Sequence, residues 1–211
     1  MNKRFIITGL LVVASLLFLG IFSQSDKVDP VFQTLVVSVA FFLVVPLLYS
    51  KIVLKESLKN LGWQSGNLFL GVFTSIISVG VAFALVLLLS RYTSFSTEYL
   101  FPVVVQTNFL WFLGYELLLV TAITLLYEVF FRGLVELLWL RSLGIWAILF
   151  QTGLFALLLY LAGDISWQQA PILLFCPFAG LIAYSSRSIW YSWGASWTFL
   201  FLTDVFLLMR Q

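Results

Sequence analysis

The feature that leaves this chain least choice is a series of apolar runs, each close to twenty residues and nearly free of charge. They lie at about 5–23, 31–50, 67–90, 142–162, 166–186 and 188–208, the last holding one charge, Asp204. An α-helix rises about 1.5 Å per residue, so about 20 apolar residues match the hydrocarbon core of a bilayer. A further segment, Tyr99 to Leu140, is interrupted only by Glu116, Glu128, Arg132 and Glu136. As one helix it would be roughly 60 Å long, about twice that core. It therefore divides into an interfacial piece after Pro102 and a helix at about 109–140. The expectation is an all-α, polytopic membrane helix bundle of about seven transmembrane helices, forming one integral domain over 1–211.

Composition closes the soluble alternative. Hydrophobic residues fill 62% of the 211 positions and charged residues 9%, against roughly 25% charged in a soluble domain. Such a chain cannot cover itself with polar groups and must leave apolar surface in the lipid bilayer. Eleven basic and nine acidic residues form no basic patch, so no nucleic-acid partner is expected. Histidine is absent, which removes the commonest general base and the commonest zinc ligand. The single Cys176 allows neither an internal disulfide nor a thiolate cluster and reads as a small packed side chain. No metal and no other cofactor is expected.

Lys3 and Arg4 precede the first apolar run as they would in a signal peptide, but no small-residue cleavage site follows it. A retained helix is expected. No lipid-attachment motif is present, and LLMRQ at the C-terminal end is not a prenylation box. Basic residues favour the cytoplasmic side of a membrane. With the N-terminus inside, Lys3, Arg4, Lys51, Lys55, Lys59, Arg141 and Arg187 are cytoplasmic, against Lys27, Arg91 and Arg210 outside. Asp26, Asp29, Glu98 and Asp164 then fall in outer loops. The segment KIVLKESLKNLGWQSGN is the one extended cytoplasmic loop and reads as a short helix lying on the membrane surface. The localisation expected is the cell membrane, multi-pass, with a cytoplasmic N-terminus.

Charge inside the apolar runs carries the most information, since each such group costs about 2.5–3.5 kcal/mol on insertion scales. Glu128, Arg132 and Glu136 are spaced i, i+4, i+8 and share a helical face. They form either an ion pair that locks this helix to its neighbours or an active-site carboxylate facing a wet cavity; spacing leaves both open. Glu116 and Asp204 lie far enough along their helices to read as interfacial or snorkelling residues. Gln151, Thr152, Ser192, Ser196 and Thr198 read as hydrogen-bonding glue between helices. Trp190 and Trp193 read as an interfacial belt, and Trp197 as packing.

The run YEVFFRG, Tyr127–Gly133, resembles the first motif, EExxxR, of the CPBP family of CAAX-protease and bacteriocin-processing (Abi) intramembrane proteases. Glu128 matches the second glutamate and Arg132 the arginine, while Tyr127 stands where the family has its general base. The second motif, FxxxH, falls on Phe155 to Leu159, with leucine in the histidine position. SIWYSWGASWTFL resembles the start of the third motif at Ser188, Ile189 and Trp190. Ser196 then stands in its histidine position and Leu200 in its asparagine position. The resemblance covers about 109–205 and implies a CAAX-protease-like bundle with a cleft near Glu128, Phe155 and Trp190.

It also implies lost chemistry. The family's missing groups activate water and stabilise the oxyanion, roles each worth a factor of about a hundred or more. A neutral phenol with pKa near 10 is a poor base at neutral pH, and two leucines neither donate nor accept. The first expectation is a non-catalytic pseudoprotease that binds another membrane protein or peptide as scaffold, regulator or bacteriocin-immunity factor. The alternative is an active CAAX-type endopeptidase rewired onto Glu128, with Tyr127 or Ser196 donating to the oxyanion. A third reading, a small transporter coupled through the buried charges, lacks the inverted repeat that such folds carry. Cysteine labelling or reporter fusions are expected to place 51–66 in the cytoplasm and 91–101 outside. Labelling of both loops from one side would remove the seven-helix arrangement.

Overall fold

The computed structural model describes residues 3–22, 30–163 and 166–210. About 85% helix and no strand is found among them. The long helices are α1 (Lys3–Phe22), α2 (30–54), α3 (Leu68–Tyr92), α4 (109–143), α5 (Trp146–Leu161), α6 (Ala170–Ser186) and α7 (Ile189–Leu208). Each falls on one of the apolar runs. Three stretches, Leu35–Leu54, Leu68–Tyr92 and Phe109–Leu137, are long and apolar enough to cross a membrane. Asp26, Lys27, Asp29 and Asp164 lie outside the described residues.

The anticipated break after Pro102 is present. Val103–Thr107 forms a separate short helix, and the Asn108 side chain caps α4 by accepting from the Leu110 amide at 2.9 Å. This satisfies one of the amides that a helix start leaves without a partner. The 51–66 segment departs from expectation. Helix α2 continues to Leu54 and ends at Lys55 in the left-handed region. No surface helix follows, only a 3-10 turn at Leu58–Leu61. The loop is instead stitched to the α6–α7 turn: the Asn67 amide donates to Ser186 O at 2.8 Å and the Ile189 amide to Gly62 O at 3.1 Å. Ser188 Oγ donates to Gln64 O at 2.6 Å. Tertiary hydrogen bonds outcompete the membrane surface here because Leu61, at its centre, buries itself in the bundle.

Helix α3 illustrates how the bundle packs. Its buried positions are small, Gly71, Ser78, Ala82, Val86 and Ser90, while Leu68, Phe69, Phe73 and Ile76 point out of the bundle. This is the reverse of a soluble helix and suits a lipid surround, where close backbone approach drives association more than burial of large side chains. At Gly71 a Cβ would sit 2.5 Å from the Tyr191 ring of α7. Helices α3, α6 and α7 pack together around Val86, Phe175, Ala179, Ile182 and Phe199. A second core joins α1, α2, α4 and α5 through Leu16, Phe42, Phe130, Phe131, Leu134 and Phe155. Helix α4 thus runs between two groups of helices, and the whole stretch Glu128–Leu137 is buried.

Helix α4 is also the least regular. Tyr115–Val120 and Glu128–Leu137 follow π-helical bonding, as Ala40–Val44 and Tyr49–Leu54 do in α2; it widens each turn and is rare in helices generally. At the first of these the Thr121 amide donates to Glu116 O, five residues back. The indole nitrogens of Trp197 and Trp193 reach the Glu116 and Thr121 carbonyls, both at 3.2 Å. Trp197 therefore buttresses the first widened turn and Trp193 the residue that follows it.

Gly66 adopts φ +56°, and a Cβ there would lie 2.1 Å from Ser186 O. Gly66→Ala is expected to lower the melting temperature in detergent, reflecting a loss of about 2 kcal/mol or more from left-handed strain and steric conflict. Gly80→Ala on α3, facing open space, should leave it unchanged or raise it, since alanine suits a helix interior better.

Candidate functional site

Helix α7 begins where Ser188 caps it, accepting from the Trp190 amide at 3.3 Å. From that start Ser192 and Ser196 fall one turn apart on the face turned toward α4. Both hydroxyls donate to one carboxylate: Ser192 Oγ to Glu128 Oε2 at 2.5 Å, and Ser196 Oγ to Glu128 Oε1 at 2.9 Å. Arg132, one turn along α4, brings Nε to 3.6 Å from Glu128 Oε1. Its Nη2 donates to Cys176 O on α6 at 3.2 Å, and Gln151 Nε2 on α5 donates to the same carbonyl at 3.2 Å. Four helices therefore meet at one buried ion pair, with Glu128 1% and Arg132 4% exposed.

Glu136 completes the i, i+8 series without joining the pair. Its carboxylate lies against Gly180 of α6, where a Cβ would come within 2.7 Å of Oε2 and 2.9 Å of Gln151 Nε2. Neither Glu136 oxygen has a hydrogen-bond partner among the described residues. Cys176 is buried and bonds to Gln151 Oε1 at 3.5 Å, the packed role its surroundings suggested.

A cavity with about 10 Å³ of room lies beside this pair, lined by Tyr127, Glu128, Arg132, Ser196 and Leu200 among others. That is space for about one water molecule. Five positions marked by the family resemblance come together there. Leu159 does not; it packs in the apolar core that holds Phe155. The Tyr127 ring meets Phe155 edge-on at 5.2 Å and Phe42 at 5.5 Å between centroids. Trp190 lies elsewhere, against Trp63 at 5.3 Å and beside a groove between α3 and α7.

Thr124, Tyr127, Ile172 and Leu200 also wall a second, larger cavity of about 420 Å³ toward the end of the bundle opposite the 51–66 loop. Asp204, Tyr99 and Tyr115 line it as well. Here the expectation for Glu116 and Asp204 is corrected. Neither snorkels: they are 0% and 2% exposed and stand beside each other. The cause is the 95–107 segment, which folds over this end and brings the Tyr99 hydroxyl to donate to Asp204 Oδ1 at 2.8 Å. Burial, then the charge of Asp204, pushes the Tyr99 phenol far above its ordinary range, so it is a donor at all physiological pH. Helix-rise arithmetic places a residue along the axis and says nothing of what a neighbouring loop covers. No group of three or more metal-ligating side chains occurs among the described residues.

Ser192, expected as hydrogen-bonding glue between helices, does bridge α7 to α4, and the acid it lands on was not foreseen. Its spacing from Ser196 was visible, and two hydroxyls one turn apart facing a buried acid is the signal that would have marked it. No protein-family model, curated protein or solved structure matches the chain.

Glu128→Gln or Arg132→Met alone is expected to destabilise the protein in detergent by about 3 kcal/mol, because a buried partner charge is left unpaired. The double replacement should recover much of that loss. Thermal or denaturant unfolding measures both; additive losses in the double variant would mean the two side chains do not act as a pair.

Proposed function

We propose that this is a seven-span membrane protein with a cytoplasmic N-terminus and a CPBP-like helix arrangement that has lost peptidase chemistry. Its activity is to bind another membrane protein or peptide, as scaffold, regulator or immunity factor. The observation that carries the non-catalytic part is the state of Glu128. Both its oxygens are taken, by Ser192, Ser196 and Arg132, in a cavity of about 10 Å³.

Hydrolysis needs a base free to take a proton from water, donors aimed at the oxyanion and room for a scissile bond. At Glu128 the donors point at the carboxylate itself. Tyr127, in the general-base position of the resemblance, is wedged among the Phe42, Phe131 and Phe155 rings. Zinc would gain little, since the site offers neither nitrogen nor sulfur ligands of the kind it prefers. The convergence of positions 127, 128, 132, 196 and 200 on one small cavity supports the CPBP-like arrangement. Their side chains support its inactivity.

The purified protein is expected to leave prenylated and transmembrane peptides uncleaved, with or without zinc, over hours at micromolar enzyme. Product analysis by mass spectrometry checks this. Cleavage that disappears in Glu128→Gln would establish the rewired endopeptidase instead.

A further inference from the structure

The two buried acids at the far end differ from Glu128 in having no cation beside them among the described residues. Arg132–Glu128 is the one ion pair among the described residues. Asp204 receives the Tyr99 hydroxyl, and neither oxygen of Glu116 has a hydrogen bond of ordinary geometry. Two adjacent carboxyls repel when both are ionised, and either a proton or a cation drawn from outside relieves that repulsion. An uncompensated charge at such depth is unfavourable and marks a functional site by default.

Next to that charge is open space. The cavity of about 420 Å³ falls within the range of roughly 300–1,000 Å³ typical of small-molecule sites. Asp204 lines it, as do the rings of Tyr99, Phe101, Tyr115 and Tyr127. Gln168 and Gln169 stand at its mouth beside the 99–102 loop, with Gln168 Nε2 donating to Leu100 O at 2.6 Å. A carboxylate in the wall of a pocket lined with aromatic rings suits a cation with an apolar coat, which gains both the ion pair and attraction to the rings. It suits a bare metal ion poorly, because two acids and a few neutral oxygens do not make the six or more ligands that a hard divalent ion takes.

We infer that this cavity binds a small organic ammonium ion, its charge set against Asp204 and its alkyl groups among the tyrosine rings. The site is independent of the Glu128 pair and of whether the chain cleaves peptides. Ile172 and Leu200 form part of the wall between the two cavities, so a ligand seated at Asp204 is held away from the ion pair.

The test uses the full chain in nanodiscs, with choline and tetraethylammonium as probes and 3,3-dimethylbutan-1-ol as the neutral counterpart of choline. Calorimetry and thermal shift are expected to give saturable binding of both cations and none of the alcohol. Asp204→Asn, which keeps a Tyr99 acceptor but removes the charge, should weaken binding at least ten-fold. Ile123→Phe, which fills the cavity without touching a charge, should do the same and decides the matter if the first variant does not fold. The inference is overturned by absence of saturable cation binding, by equal binding of the alcohol, or by unchanged affinity in whichever variant folds.

Discussion

Everything in this bundle is arranged around the need to satisfy one buried carboxylate. Glu128 lies buried in the middle of α4 beside room for about one water, so its partners must come mainly from protein. Ser192 and Ser196 supply two hydrogen bonds from α7, and Arg132 supplies the countercharge. Arg132 is in turn committed to Cys176 O on α6, a carbonyl that also receives Gln151 from α5. Removing any one of these leaves another group orphaned at low dielectric, where the loss far exceeds the net worth of the bond when made. The register of α4, α5, α6 and α7 is therefore set together by chemistry that could not be relaxed one helix at a time.

Close packing follows from the same node. At Gly180 α6 passes close to Glu136 and Gln151, and a Cβ there would meet both side-chain ends below 3.0 Å and oblige them to shift. In the first widened turn of α4 the Glu116 carbonyl finds Trp197 and Thr121 as side-chain donors, and the Thr121 carbonyl just beyond it finds Trp193. In lipid no water is available to take those carbonyls, so irregular backbone survives only where side chains satisfy it.

The helices themselves were legible because a period of about twenty apolar residues admits few other readings, and the break at Pro102 and Asn108 was written in residue types that stop and start helices. The Glu128–Arg132 pair was legible for the same local reason, a spacing of four. What escaped was non-local. The 51–66 loop folds onto Ser186 and Ile189 through backbone hydrogen bonds, which leave no trace in its amphipathic pattern. Glu116 and Asp204 are 88 positions apart in sequence, and only the fold-over of Tyr99 turns two seemingly peripheral acids into one buried pair.

On the proposed CPBP-like reading, the side chains at 196 and 200 would make loss of a catalytic group and closure of its cavity one event. If an imidazole and an amide once stood there, as the CPBP resemblance implies, they would hold water open between α4 and α7. A serine at 196 is short enough to turn its only proton to Glu128, and a leucine at 200 fills the space while offering no polar atom. The remaining room of about 10 Å³ then holds too little for a substrate carbonyl. An acid that must be satisfied from within and a cavity that must not trap unpaired water lead to the same pair of residues. On that reading the chemistry would leave with the space, and the pair that stays, Glu128 and Arg132, is what the fold needs to stand.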